Sequence, residues 1–344
     1  MYFLRRRWLL VLLPVAVAGI AIGAVTVFAP SGNGDGSPPV PRTEDFPATL
    51  TATGIYQGSL ATLEPADGYH LVDLQSSLFA DDSQKQRLLY IPEGSVIQAA
   101  GGGLPEFPEG TTLVKTFYYH DDDRDPALGR HIIETRLLTL EQGLWNVATY
   151  VWNDEQTEAV FEAEGAVQVV DWIDEQGRSR SVEFQVPTQR QCVSCHQKAG
   201  AVFPLGPELR NLNLTVSRNG SDVNQLDHLQ AVGALDTVDP TAVDVVADYL
   251  DASLPISERG RAYLDMNCSH CHQPDAWSRP ARQGYDFRWE TPLAATGVTG
   301  EEAEILEQVE SGEMPFLGTT FIDDEGLAIL TEYLERADAL GAGS

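Results

Sequence analysis

Alternation of apolar and polar residues dominates the chain from about residue 46 to Pro187. Residues 111–119, Thr-Thr-Leu-Val-Lys-Thr-Phe-Tyr-Tyr, alternate and are rich in β-branched and aromatic side chains, the period-two signature of a half-buried strand. Residues 132–140 and 145–152 flank Glu141-Gln142-Gly143, and residues 167–173 and 181–186 flank Asp174-Glu175-Gln176-Gly177. Both arrangements read as hairpins closed by turn-forming residues. The pattern predicts an antiparallel all-β domain, a sandwich or a barrel, over residues 46–187. After Pro187 the period changes. Residues 222–235, 241–250, 257–267, 301–310 and 323–339 repeat their apolar positions three or four apart, which predicts helices, with Ser257 and Asp323 as N-caps. The fold class expected is multidomain, with an all-α domain over residues 188–344 following the β domain.

The beginning of the chain belongs to neither. Arg5, Arg6 and Arg7 precede a charge-free apolar run over residues 8–30, the order of an export signal whose positive end stays in the cytoplasm. The run is long enough to span a bilayer, and Pro30 directly after Ala29 spoils a small-residue cleavage site. Residues 1–30 are therefore expected to form an uncleaved signal anchor, with a cleaved signal peptide as the alternative. The Gly-, Ser- and Pro-rich residues 31–45 read as a flexible linker. Both outcomes place the body in the periplasm or otherwise outside the cytoplasm, and the uncleaved one ties it to the inner membrane through residues 8–30.

All four cysteines fall in two Cys-x-x-Cys-His units, Cys192-Val-Ser-Cys195-His196 and Cys268-Ser-His-Cys271-His272. Residues three and four apart share one face of a helical turn. Two thiols so placed reach the two vinyl groups along one porphyrin edge, and the histidine reaches the iron as proximal ligand. The spacing thus reads as covalent attachment of c-type haem. A structural zinc site wants its cysteine pairs about 15 to 20 residues apart, whereas 72 residues separate Cys195 from Cys268. Neither zinc nor a redox dithiol explains a histidine after both pairs. The cofactors expected are two haem c groups, with iron bound by His196 and His272, and the all-α half is expected to be a cytochrome c-like dihaem domain. Export agrees with this, because thiols outside the cytoplasm otherwise become disulfides.

Each iron has a second axial position. Of the three methionines, Met1 lies in the leader and Met266 stands too close to Cys268 to cross the porphyrin. Met314, in Gly312-Glu-Met-Pro315, precedes a proline that disfavours helix, so an extended loop is expected to present its thioether to the second haem. No methionine remains for the first haem. His228 is its candidate distal ligand, ahead of His120, His131, His70 and an open site, and His270 is expected to face solvent. Thioether ligation raises a haem's potential relative to histidine, so unequal distal ligands give electrons a direction.

The formal charge is −29, and lysine occurs only at positions 85, 115 and 198. Such a surface excludes nucleic acid and anionic lipid as partners and steers basic ones, including a basic electron carrier. Adaptation to a saline exterior explains the same charge without any partner.

The chain resembles a family of exported dihaem c-type cytochromes that carry a β-rich region ahead of their haems. The resemblance covers about residues 50–340. Beyond the haem motifs it rests on Leu113-Val-Lys-Thr-Phe117, Ile133-Glu-Thr-Arg-Leu137 and Tyr150-Val-Trp-Asn-Asp-Glu-Gln-Thr-Glu-Ala159. Leu205-Gly-Pro-Glu-Leu-Arg-Asn-Leu-Asn213, Asn224-Gln-Leu226, Ala262-Tyr-Leu264 and Met314-Pro315 complete it. It implies haem binding and electron transfer outside the cytoplasm, without a substrate, and a parallel β-helix protein encoded nearby as a partner. The expected protein is an electron carrier rather than a catalyst. Two alternatives remain at this point: a dihaem peroxidase-like enzyme with an open first haem, and a β-domain ligand-binding or docking module with the haems as its electron outlet.

Overall fold

The computed structural model describes residues 46–276 and 284–337. The expected anchor and linker lie outside the described residues, among which no helix is long and apolar enough to cross a membrane.

Six strands make one antiparallel meander in chain order: β1 (Tyr69–Leu71), β2 (Gln84–Tyr90), β3 (Thr112–His120), β4 (Arg130–Glu141), β5 (Leu144–Trp152) and β6 (Ala159–Phe161). β4 and β5 join through Gln142 and Gly143, both at positive φ (53° and 73°), as a two-residue turn matched to strand twist requires. β7 (Ala166–Ile173) and β8 (Ser179–Val186) form a separate hairpin.

Both sheet faces are covered. On one, Leu88, Val114, Leu137 and Ala148 stand in register across four strands, beneath Leu50, Ile55, Tyr56, Leu60 and Leu63 from the segment before β1. Hydroxyls buried on this face satisfy one another: Tyr56 pairs with Thr116 (2.7 Å), Thr116 with Thr135 (2.8 Å), and Trp152 Nε1 donates to Thr135 (3.1 Å). On the other face Leu89, Leu113, Leu138 and Val147 form the corresponding apolar row. Phe117, on this side too, packs on Val170, Trp172, Val182 and Phe184 of the β7–β8 hairpin.

The chain after Pro187 covers this second face, and here the structure corrects the expected fold class. Among the described residues no all-α cytochrome c-like domain stands apart from a β domain. The segment alternates short helices with hairpins: α1 (Gln189–His196), β9 (Gln197–Lys198) with β10 (Ala201–Val202), α2 (Leu209–Leu212), β11 (Thr215–Arg218) with β12 (Ser221–Asn224), and α3 (Gln225–Ala231). Leu209, Leu212, Leu226, Leu229 and Val243 share one hydrophobic cluster with Val72, Leu89, Ile91 and Ile97. Packing therefore runs straight across the expected boundary at residues 187 and 188.

The helix expected over residues 241–250 does not form. Only a 3₁₀ turn, Pro240–Ala242, occurs there. Tertiary partners take the backbone groups a helix would use: Asn213 Nδ2 donates to the carbonyls of Pro240 and Val243 (both 2.9 Å), and Val246 N donates to Arg210 O (3.2 Å). Packing has overridden a weak local preference.

Three helices follow, α4 (Ile256–Asn267), α5 (Glu302–Glu310) and α6 (Asp324–Glu335). α4 and α6 pack around Tyr263, Leu264, Ile329, Leu330 and Tyr333, with Leu306 and Val309 of α5 against them. A methyl group at Gly260 would overlap the Tyr333 ring, and one at Gly326 the Tyr263 ring, so these glycines set the closeness of α4 to α6. Asp323 caps α6 through Gly326 N (2.8 Å). Ser257 does not cap α4, whose N-cap is Pro255 without a side-chain bond.

Candidate functional site

The first Cys-x-x-Cys-His unit lies on α1, held to the sheet by ordinary packing. Thr188 and Gln191 form a reciprocal capping box (3.2 and 2.8 Å), which satisfies two otherwise orphaned backbone donors. Gln189 Nε2 donates to Val147 O of β5 (2.8 Å). Val193 is fully buried against Val147, Leu138 and Val202, and Cys192 is buried beside it. Burial raises the Cys192 thiol above its usual range, with the Arg136 guanidinium opposing.

His196 ends α1. Its Nδ1 faces the Phe203 carbonyl at 2.9 Å. A carbonyl can only accept, so Nδ1 carries the proton and Nε2 keeps its lone pair, the arrangement that orients a histidine as a metal ligand. Phe203 directly follows β10, and its amide returns a bond to His196 O (2.7 Å). Burial pushes the imidazole down to about 3, with Lys115, Arg136 and His270 also opposing its protonation. It is a neutral ring.

The second unit follows α4 without a break. Cys268 N donates to Leu264 O (3.0 Å), then Cys271 N and His272 N donate to Cys268 O (3.1 and 2.9 Å). These bonds fold the motif into one tight turn. Cys268 packs against the α4–α6 cluster, and burial pushes its thiol up to about 12. The His272 ring lies against Tyr285 and Phe287, at 5.6 and 5.1 Å between centroids. Phe287 N donates to His272 O (2.9 Å).

The two units meet. Lys198 bridges to Ala276, and Ala199 N donates to Asp275 O (2.9 Å), joining the chain just past each motif. The Cys195 and Cys271 sulfurs and a ring nitrogen of His270 lie within 4.8 Å of one another. Contact with Cys271 and burial hold the Cys195 thiol well above its usual range. His270, expected to face solvent, is half-buried, and its Nδ1 is buried without a hydrogen-bond partner among the described residues. All four cysteines are thiols rather than disulfides.

Met314 sits half-buried in the loop between α5 and α6, its amide donating to Gln308 O (2.9 Å). Met266 is buried within α4. His228, on α3, has His70 of β1 and Arg218 of β11 as electrostatic neighbours, neither of them in a motif. The structure does not bring it to His196. His120 and His131 lie near the junction of β3 and β4, where His120 meets the Tyr118 ring edge-on at 5.3 Å. The charged side chains acting on His196 come instead from the sheet, Lys115 and Arg136. Alternation alone reads both as solvent-facing strand positions. The only sequence signal was the rarity of lysine.

The donor set suits a covalently held haem at each motif: paired thiols three residues apart, and at the first a neutral imidazole with Nε2 left for iron. No protein-family model matches the chain, and neither a curated protein nor a solved structure matches it.

Proposed function

We propose that this chain carries two c-type haems and transfers electrons between them and partner proteins outside the cytoplasm. The observation that carries this reading is the meeting of two Cys-x-x-Cys-His units at Cys195 and Cys271, with sulfurs within 4.8 Å. Haems linked through those thiols would be held close to each other, which suits electron exchange inside one chain. Cys192 and Cys195 would hold one haem with His196 as ligand, and Cys268 and Cys271 the other with His272. When bound, the haem iron supplies one-electron chemistry. The protein holds the His196 ring neutral and oriented through Phe203, and α1 with the β7–β8 hairpin shields that side of the sheet. Met314, on the loop after α5, would complete the second iron. The excess of acidic side chains (net −29) favours encounter with a basic carrier, and the Arg5–Arg7 cluster before an apolar run supports export.

The test is stoichiometry in the mature protein. Haem staining after denaturing electrophoresis, with a quantitative haem assay, should give about two covalent haems per chain. A haem-free chain would sink the reading.

One observation favours a second reading. Cys195, Cys271 and His270, with the buried Nδ1 of His270 lacking a partner, form a soft N,S,S donor set of the kind zinc or copper(I) takes. Elemental analysis of the same sample separates the two, because haem attachment consumes both thiols.

A further inference from the structure

The sheet face turned toward α1 carries a line of cations between rows of apolar residues. Register places Arg87 of β2 directly opposite Lys115 of β3, and Lys115 opposite Arg136 of β4. Lys85, two residues before Arg87, shares the face. The neighbouring row is Leu89, Leu113, Leu138 and Val147, under the chain that follows Pro187. In a protein of net charge −29, two of the three lysines occupy this one place. All four cations are half-buried.

Such a row is costly by itself. Like charges directly opposite on adjacent strands destabilise a sheet, and a cation withdrawn from water needs a partner. The protein supplies one carboxylate in contact: buried Glu134 grips Arg136 with two bonds (2.8 and 2.6 Å). Arg87 donates to Ser77 Oγ (2.5 Å), and Lys115 Nζ lies 4.8 Å from the Phe117 ring centre. Among the described residues no carboxylate comes within ion-pair distance of Lys85, Arg87 or Lys115. Asp81, Asp82 and Asp323 act on Lys85, Asp73 on Arg87 and Glu134 on Lys115, only at longer range. Burial lowers Lys85 to about 7 and Lys115 well below the usual lysine range, as expected of ammonium groups short of counter-charge.

The row ends at the first motif. The Arg136 guanidinium acts on Cys192 and Cys195, and Lys115 and Arg136 both act on His196. From Arg136 the line runs two strand spacings to Arg87, about 10 Å, comparable to the span between the vinyl and propionate edges of a porphyrin. We propose that the far end of this row, Arg87 and Lys115 with Lys85 beside them, is a carboxylate-binding site, and that its occupants are the propionates of the haem on Cys192 and Cys195, with Arg136 standing by the thiols at the other edge. The second half of this inference rests on the haem reading above. The shared chemistry is that of a paired carboxylate, which a free dicarboxylate could also supply.

The experiment uses the full chain as matured with haem, comparing Lys115→Met and Arg87→Gln with Lys115→Arg as rescue and exposed Arg178→Gln as control. A cation beside a propionate favours the electron-rich ferrous state. Lys115→Met should therefore shift the reduction equilibrium of one haem about tenfold toward the oxidised form, about 59 mV for one electron. It should also raise the pH at which that potential inflects. The other haem, Lys115→Arg and Arg178→Gln should stay unmoved. A normally loaded Lys115→Met protein with unchanged potentials and pH profile overturns the propionate assignment. If the wild-type chain carries no haem, the haem reading fails and the propionates with it, and succinate then tests the row. Thermal stabilisation by succinate that disappears in Arg87→Gln and Lys115→Met keeps the carboxylate row, whereas no effect of succinate overturns the row as well. Lys115→Met removes a crowded cation, so the haem-free variant is expected to fold, and its melting temperature should rise above wild type.

Discussion

Cys195 and Cys271, from different motifs, hold their sulfur atoms within 4.8 Å of each other. Charges on two haems attached there would feel one another strongly. For centres on the order of 10 Å apart and an effective dielectric of about 20, unit charges interact by roughly 1.7 kcal/mol. Reduction of one haem should therefore lower the potential of the other by about 50 to 100 mV, seen as a broadened redox titration. Replacing Cys268 and Cys271 by alanine to remove the second haem should leave a single one-electron curve for the first. Two ideal independent curves in the intact protein would contradict a close approach of the two haems.

On the proposed haem reading, His228 should be dispensable to both haems. It stands beside His70 and Arg218, away from either motif. His228→Ala should leave the absorption and electron paramagnetic resonance spectra unchanged and alter stability by less than about 0.5 kcal/mol. Conversion of one haem to a high-spin form in this variant would place His228 on iron after all.

Met314 should behave in the opposite way. If Met314 ligates iron as proposed, Met314→Ala should lower the potential of one haem and abolish the weak charge-transfer band of methionine-ligated ferric haem. Met266→Leu, within α4, should do neither. An unaltered band in Met314→Ala would remove the loop from the ligand set.

Residues 46–187 expressed alone should not melt cooperatively. Leu89, Ile91 and Ile97 complete their packing only with Leu209, Leu226 and Leu229, and the cation row would lie open to water. Extending the fragment to residue 243 closes that cluster and should sharpen the transition monitored by circular dichroism. A sharp melt of the shorter fragment would show that the sheet needs no cover on this face.

Glu208 gives a pH signature. Burial pushes its carboxyl up to about 7, with Asp265 adding repulsion and Arg210 opposing. The acid is thus harder to ionise folded than unfolded, where its value is near 4.5. The folded state holds the extra proton between these values, so stability falls as pH rises from about 4.5 through 7 and stays reduced above. Glu208→Gln should flatten that slope in denaturant titrations at several pH values. A slope equal to wild type would mean that the carboxylate is ionised without cost.

Local turns and caps were readable from sequence; assembly was not. The β4–β5 turn announced itself through Glu141-Gln142-Gly143, and the start of α6 through Asp323, because each depends on residues a few positions apart. The Cys-x-x-Cys-His spacing is local in the same sense. Residues 241–250 misled because Asn213, far away in sequence, claims the carbonyls of Pro240 and Val243. The expected all-α half failed for a related reason: helical periodicity records apolar spacing, not the β9–β10 and β11–β12 hairpins that interrupt it. Lys115 and Arg136 escaped notice because alternation assumes one wet face, and this sheet has none. The meeting of Cys195 with Cys271 left no local trace at all.

The docking of α1 has a consequence for how the protein is made. Cys192, on α1, lies buried against the sheet beside Val147 of β5, and backbone bonds at Ala199 and Lys198 seal the seam with the second motif. In this closed arrangement an attachment machinery would find the first thiol out of reach. If haem is attached as proposed, loading has to come while α1 is still swung away from the sheet, so that the cofactor would be built into the folding path rather than added to a finished protein. A cell that starves this chain of haem should then accumulate closed molecules that can no longer be rescued by later supply.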